Sequence, residues 1–371
     1  MVKTKFFSAL AVLVGTAIGA GFLGIPYVIS RAGFLPGLAC LIFVAVLILF
    51  VKLYLGEVSL RTRGNHQLTG YAERYLGRWG KLAMFFAMVF GIYSALVAYM
   101  IAEGQSLSYM ILGNISFSVY FSLLFWVLMA FLSYIGLVAL KKYEKIAMFL
   151  VLGIVFIILI FFVRGINVDN LSYVDGWNIF LPFGVILFSF LAFSAMPEVE
   201  RILLHEERLM KRVIFFGVMI PLAVYFIFTL VIVGNFGHGT GEIATLSLPR
   251  EFSILAVLTM FTAFFSLSIA IRDMFRFDYN LGRFRGWLLA ILVPLALFLV
   301  TYFLKIASFV QILSISGIVS GGLTGILVLL MNKKAKMLGD RKPEYSLPIG
   351  WFIIILLSLV FILAVIAEFV F

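Results

Sequence analysis

Between residues 14 and 27 the chain reads VGTAIGAGFLGIPY, which sets Gly15, Gly19, Gly21, Gly24 and Pro26 inside a long apolar run. Each glycine costs a helix about 1 kcal/mol relative to alanine, so the segment is poorly suited to a continuous rod. If the run crosses a membrane, N–H and C=O groups freed by a break survive only where they line a buried cavity. Bare main-chain groups of this kind bind small charged molecules. Amides at the start of a half-helix suit a carboxylate, and the last carbonyls before a break suit an ammonium group. The same glycines also suit close helix packing, for which Gly15 and Gly19 have the right spacing.

A second interruption lies in FGVILFSFLAFSAMPEVE, residues 183–200, where Pro197 cannot donate its N–H and Ser189, Ser194 and Glu198 add polarity. A third constellation is Thr259, Thr262 and Ser266, spaced three and four apart on one helix face, with Asp273 farther along. Beside main-chain carbonyls such as those of Gly15 and Ile18, these hydroxyls would suit a hard cation such as sodium at Gly15, Ile18, Thr259 and Thr262. Glu198, Glu103 and Asp273 are the carboxylates available to carry a proton within the membrane. Glu198 has Arg201 nearby to pair with, and Asp273 has Arg272 or Arg276. His66, His205 and His238 fall in loops on both faces, so neither a metal centre nor a catalytic constellation is expected.

The elements that must position these groups are membrane-spanning helices. Of 371 residues, 64% are hydrophobic and 12% charged, with a mean hydropathy of +1.17; soluble domains are about 25% charged. At about 20 apolar residues per crossing, eleven spans are expected, near 6–29, 34–56, 82–110, 117–140, 146–164, 179–203, 213–234, 251–273, 286–304, 306–331 and 348–371. Twenty-three of the 28 basic residues fall on alternate loops, on the side of the N-terminus; Lys52 stands apart, near the end of a span. The positive-inside rule then predicts a multi-pass cell-membrane protein with a cytoplasmic N-terminus and an extracellular C-terminus. The net charge of +11 is thus an orientation signal, and no nucleic-acid partner is expected. Membrane lipid is the expected surroundings. The sequence leaves oligomeric state open, a monomer being sufficient. Cys40 is the single cysteine.

Two loops have further content. Residues 61–81 suit a short amphipathic helix capped by Asn65 or Thr69, with Tyr71, Tyr75 and Trp79 on one side. Residues 234–249 are glycine-rich at first and then suit a short helix over the outer mouth. The two breaks lie about 175 residues apart, and five spans separate their helices. Five is odd, so the second copy enters the membrane upside down. That is the inverted-repeat arrangement of secondary transporters, whose paired broken helices mark the substrate site.

The first-helix string Gly15-Thr-Ala-Ile-Gly-Ala-Gly-Phe-Leu-Gly-Ile-Pro26 resembles that of the amino acid/polyamine/organocation superfamily, and most closely its bacterial hydroxy/aromatic amino acid permeases and amino acid/auxin permeases. Ser189-Phe190 followed by Pro197 is similar to their sixth-helix break, and Thr262-Ala-Phe-Phe through Asp273 to their eighth helix. The resemblance implies an all-α polytopic membrane protein with the five-plus-five inverted-repeat fold. Helices 1 and 6 would be broken, with repeats at 1–165 and 175–332 and an accessory eleventh helix at 347–371.

It also implies a secondary active permease for amino acids, neutral or aromatic, working by alternating access. Gly19, Ala20 and Gly21 would receive the substrate carboxylate, and the carbonyls of Thr16, Ala17, Phe190 and Leu191 the ammonium. Phe22, Tyr93, Ser94, Phe193 and Ser194, with Phe265 beside them, would select the side chain. No cofactor is expected beyond a coupling ion, H+ or Na+. Relatives that bind sodium use two adjacent hydroxyl residues in helix 8, where this chain has Thr262 and then Ala263; relatives that use protons often have a helix-5 lysine, and here no base follows Lys145 until Arg164. Proton symport is the first expectation, with sodium symport and uncoupled exchange as alternatives. Leu191, Ala192 and Ser194 stand where relatives often have glycines, and Phe193 where the hydroxy/aromatic permeases tend to have histidine. A membrane enzyme would need converging nucleophiles or metal ligands. An ion channel would need oligomeric filter elements rather than matched internal halves.

Overall fold

A computed structural model describes residues 2–64, 66–135 and 138–370. Its first crossing is two helices, α1 (Val2–Ala17) and α2 (Gly21–Ala32), bent by 49° at residues 18–20. Gly33, at φ 106°, turns the chain straight into α3 (Phe34–Arg61), and a Cβ there would lie 2.4 Å from the Tyr173 carbonyl oxygen. Only glycine fits both constraints. Then come α4 (Leu68–Leu112), α5 (Ser118–Ile135), α6 (Val138–Phe162) and the single turn α7 (Asp169–Ser172).

The sixth crossing is again divided, into α8 (Pro182–Phe190) and α9 (Met196–Ile202). α10 (Met210–Phe236), α11 (Ile254–Phe277) and α12 (Arg283–Leu304) are continuous. The tenth crossing joins α13 (Phe309–Ser316) to α14 (Gly322–Leu338) through a π-helical turn at Gly317–Gly321. α13 opens on a capping box between Ser308 and Gln311. The last crossing is α15 (Trp351–Val370). The described residues contain ten helices apolar enough to span a membrane, plus the bent pair α1–α2, which is consistent with the eleven spans expected from hydropathy.

Burial divides the bundle into centre and rim. In the sixth crossing 78% of the most apolar window is buried, in the tenth 72% and in α4 67%; α5, the fifth crossing and α12 reach 22%, and α15 only 11%. The rim turns Phe131, Phe149 and Phe352 outward, as lipid contact requires. Polar groups at the centre are mostly paired. The Glu57 carboxylate is fully buried and accepts from Arg61 at 2.8 Å, Ser346 Oγ at 2.8 Å and the Leu347 amide at 2.9 Å. It thereby anchors the strap leading into α15. Lys52, which the loop count put near the end of a span, is instead fully buried in α3, and its Nζ has no hydrogen-bond partner among the described residues.

The region after α3 departs from the sequence reading. Tyr71 and Tyr75 are buried as expected, bonded to Glu200 (3.0 Å) and Thr62 (2.7 Å), but Trp79 is 80% exposed. Gly77, at φ 73° and ψ −164°, breaks the helical register between them. Thr69 does not cap the helix. Its hydroxyl donates to Asp278 beyond the end of α11, where burial pushes the carboxyl above its ordinary range. Asn65 lies outside the described residues. In the outer loop the expected short helix is three 3₁₀ turns, at Gly237–Gly239, Ala244–Ser247 and Arg250–Ser253.

Gly104 on α4 is the tightest contact with α5. A Cβ there would meet Ser122 Oγ at 2.0 Å and the Ser118 carbonyl at 2.3 Å. Gly104→Ala should therefore lower the melting temperature in detergent. Overpacking costs about 1–3 kcal/mol, more than the ~1 kcal/mol that alanine returns in helix propensity. An unchanged or raised melting temperature would contradict this packing.

Candidate functional site

The break in the first crossing frees main-chain groups, and some of them find new partners. The Gly19 N–H bonds to the Ala17 carbonyl at 2.9 Å, and the Ala20 N–H donates to the Tyr99 hydroxyl from α4. A Cβ on Gly19 would stand 2.6 Å from that hydroxyl and one on Gly21 2.6 Å from Ser189 Oγ, so both positions need glycine for close approach. The Gly21 amide opens α2 with no side-chain cap. It is therefore available to an anion, reinforced by the helix dipole.

The second break spans residues 191–195. Ala192 adopts the left-handed conformation (φ 39°, ψ 25°), and Phe193–Ala195 form a 3₁₀ turn. For a residue with a Cβ this costs about 1–2 kcal/mol. Pro197, which the sequence reading made the breaker, lies in the first turn of α9, where a missing N–H is harmless. The carbonyls of Phe190 and Leu191 accept none of the main-chain hydrogen bonds around the break.

Tyr225 of α10 links the two breaks. Its hydroxyl lies 2.7 Å from the Ala17 carbonyl and 2.9 Å from the Ser189 carbonyl, and donates its one proton between them. The Ala17 oxygen, already accepting from Gly19, is thereby saturated. The Tyr225 ring stacks on Phe22 at 6.0 Å and meets Phe190 edge-on at 5.0 Å.

Between the breaks lies a mainly apolar cavity that reaches both of them and is walled by α4 and the tenth crossing. Of the residues that sequence reasoning gave to a substrate, Thr16, Ala17, Gly21, Leu191, Phe193 and Ser194 line it. The other six do not. Gly19 and Ala20 face Tyr99; Phe22 and Phe190 are packed behind the breaks against Tyr225. Tyr93 donates instead to the Leu289 carbonyl of α12 at 3.0 Å, and Ser94 lies outside the lining, as does Phe265. Sequence reasoning passed over Met88, Gly91, Ile92, Ala95 and Tyr99 of α4, and Ser320 and Thr324 of the tenth crossing. The signal for the latter was the glycine cluster 317–325, where the π-turn brings Ser320 against Gly91. Such turns concentrate at functional sites.

Two smaller spaces adjoin the cavity. One is a void between α1, α6 and α11, lined by Gly15, Thr16, Ile18, Met148, Val151, Thr262 and Ser266 among others. Thr259 is not in it; its hydroxyl is turned into its own helix, onto the Leu255 and Ala256 carbonyls. The other is a polar vestibule lined by Gln67, Glu198, Arg201 and Asp273, which shares Thr16, Ser194 and Leu267 with the cavity. Asp273 is ion-paired with Arg272 at 3.1 Å, whereas Arg201 donates to the Pro197 carbonyl.

Residues 2–240 match the tryptophan/tyrosine permease family. The chain belongs to that family. It is an amino acid permease embedded in a membrane, not an enzyme. The permease is similar to glutamine transporter 2 of Aliivibrio fischeri, at 24% identity over 289 residues, 72% of this chain and 74% of that one. It is also similar to tyrosine-specific transport system 1 of Haemophilus influenzae, at 23% over 318 residues, 78% and 79% of the two chains. Among solved structures, MhsT in complex with L-phenylalanine superposes with a TM-score of 0.74 at 16% identity, covering 98% of this chain and 97% of that one. The permease therefore has the inverted-repeat transporter fold with broken first and sixth helices.

Tyr225→Phe keeps the ring and removes the hydroxyl, leaving the Ala17 and Ser189 carbonyls short of a donor. Only one shared donor is lost, because the Ala17 oxygen still accepts from Gly19, and the loss costs about 1–3 kcal/mol. The variant should fold with a clearly lowered melting temperature and weaker substrate binding; wild-type behaviour in both would remove Tyr225 from the site.

Proposed function

We propose that the permease carries a neutral or aromatic amino acid by alternating access, in symport with protons. The observation that carries this reading is the pair of breaks facing each other across a largely apolar cavity. One offers the Gly21 amide and the positive end of α2, the other the Leu191 carbonyl just past the end of α8. On this reading a zwitterion binds between them, carboxylate toward Gly21 and ammonium toward Leu191. Met88, Ile92, Phe188, Phe193 and Leu267 then surround its side chain with no charged group among the lining residues. The names of the similar proteins refer to glutamine, tyrosine and phenylalanine, all with uncharged side chains.

The polar vestibule runs from the cavity toward the side of the basic loops, while the 3₁₀ turns after α10 cover the opposite end. The positive-inside rule supports a cytoplasmic N-terminus and an extracellular C-terminus. On this reading the conformation is the inward-facing one, with 1–165 and 175–332 as the two repeats that rock against each other. A sodium-coupled reading has one observation in its favour. The void beside Gly15 and Ile18 holds the Thr262 and Ser266 hydroxyls, which are hard oxygen ligands. Against it stands Ala263, which removes a neighbouring ligand, and the Thr262 hydroxyl is already bonded within its own helix.

Uptake of a labelled amino acid panel into proteoliposomes, with pH and sodium gradients imposed separately, tests the proposal. Accumulation of a neutral amino acid under the pH gradient alone is expected. No accumulation of any amino acid under either gradient would overturn it. Sodium-driven uptake that weakens in Thr262→Ala would establish the second reading. Gly21→Leu should abolish substrate binding in a folded protein, because its side chain must displace Ser189 and Phe188; unchanged affinity would remove the carboxylate assignment.

A further inference from the structure

Tyr99, Glu103, Ser106 and Tyr109 follow one another on α4 at spacings of four, three and three. They therefore share one side of the helix over a rise of about 15 Å. Both ends of this stripe are anchored. At the inner end the Tyr99 hydroxyl receives the Ala20 amide inside the first helix break. At the outer end the Tyr109 hydroxyl donates to the Leu248 carbonyl at 3.2 Å, in the loop that covers the outer side of the bundle.

The middle of the stripe is buried and unsatisfied. Glu103 is 1% exposed and its Oε2 has no hydrogen-bond partner; the Ser106 hydroxyl is fully buried and also lacks one. The turns Ala244–Ser247 and Arg250–Ser253, which pack on α4, add the Thr245 and Ser253 hydroxyls, buried and equally unpartnered. Native proteins leave few buried polar atoms unpaired. Four of them lie where one stripe meets one covering loop, and each would be satisfied by water if the loop lifted.

We propose that Glu103 carries the coupled proton. The assignment rests on the proton-symport reading above and names the group that performs it. With the outer side open, the Glu103 carboxylate takes a proton from hydronium and leaves water. With the turns closed, a carboxylate in this dry stripe would be a buried charge without a counter-ion, an arrangement that costs several kcal/mol. Closure thus requires the proton aboard. Once water reaches the stripe from the inner side, the carboxylic acid returns its proton to that water. Tyr99 stands between Glu103 and the Ala20–Gly21 amides, so the proton and the substrate carboxylate meet at adjacent turns.

No charged side chain among the described residues acts on Glu103. On α4 itself the other ionisable groups are Tyr71, Glu73, Arg74, Tyr75, Arg78 and Lys81 toward the inner end, then Tyr93, Tyr99 and Tyr109. α5 brings Tyr120 and Tyr134, α11 brings Arg272, Asp273 and Arg276, and α12 brings Arg283, Arg285 and Tyr302. α14 brings Lys333, Lys334 and Lys336, while α13, the π-turn, residues 193–195 and the turn Ala244–Ser247 bring none. Arg250 and Glu251 of the covering turn pair with each other on the surface at 3.5 Å.

The test compares wild-type permease with Glu103→Gln in proteoliposomes. Counterflow exchange of labelled substrate needs no gradient, whereas accumulation under an imposed pH gradient needs the proton. The Gln variant should keep exchange and lose gradient-driven accumulation together with the pH dependence of uptake. A Gln variant that accumulates like wild type overturns the assignment, as does one that is folded yet cannot exchange. If Glu103→Gln does not fold, Glu103→Asp is read instead: a shifted pH midpoint of uptake supports the assignment, and a wild-type midpoint or an inactive folded protein overturns it. A wild-type permease indifferent to the pH gradient overturns the proton-symport reading itself, and this assignment with it.

Discussion

A main chain that stops being helical within a bilayer must find new partners for the N–H and C=O groups it releases, because the hydrocarbon supplies none. In this permease the demand arises twice, at residues 18–20 and 191–195, and the two answers meet in one side chain. The Tyr225 hydroxyl lies within hydrogen-bond reach of a carbonyl from each break. Its ring is held by Phe22 and Phe190, so the clamp is both polar and packed. What remains without a main-chain partner at the cavity after this accounting is the Gly21 amide on one side and the Leu191 carbonyl on the other.

The second half of the broken sixth crossing, α9, is tied to its surroundings by side chains far apart in sequence. Tyr71, on the short helical stretch before Gly77, bonds to Glu200 in α9, and Thr69 in the same stretch reaches Asp278 beyond α11. That stretch therefore bridges one half of the broken sixth crossing and the end of the eighth. The left-handed turn at Gly77 lets it do so without dragging the long span of α4 into line. On the far side of α3, Glu57 gathers Arg61, Ser346 and Leu347, which fixes the strap to α15 while leaving α15 itself against lipid.

How much of this could be read from residues alone depended on whether the cause was local. The first break was legible because glycine density acts on its own helix. The second was placed correctly after Leu191 by the family resemblance, but Pro197 looked like its cause, while the chain turns at Ala192, a residue with no local sign of left-handed geometry. Tyr93 was chosen because a mid-membrane hydroxyl needs a partner, and it has one, but on α12 rather than in the cavity. Tyr99 and Tyr225 escaped notice because their partners lie on helices brought together only by folding. Trp79 was misread because a periodic pattern was carried across Gly77, where the period stops.

The contact between Gly91 and the π-turn sets how closely α4 approaches the tenth crossing. A Cβ on Gly91 would stand 2.2 Å from Ser320 Oγ, on a wall of the recess away from the open main-chain groups. The width of the recess on that side therefore depends on how closely the two main chains approach, which a methyl group at position 91 would prevent. A side chain there would act as a wedge, parting α4 from the tenth crossing while leaving the breaks in the first and sixth crossings in place.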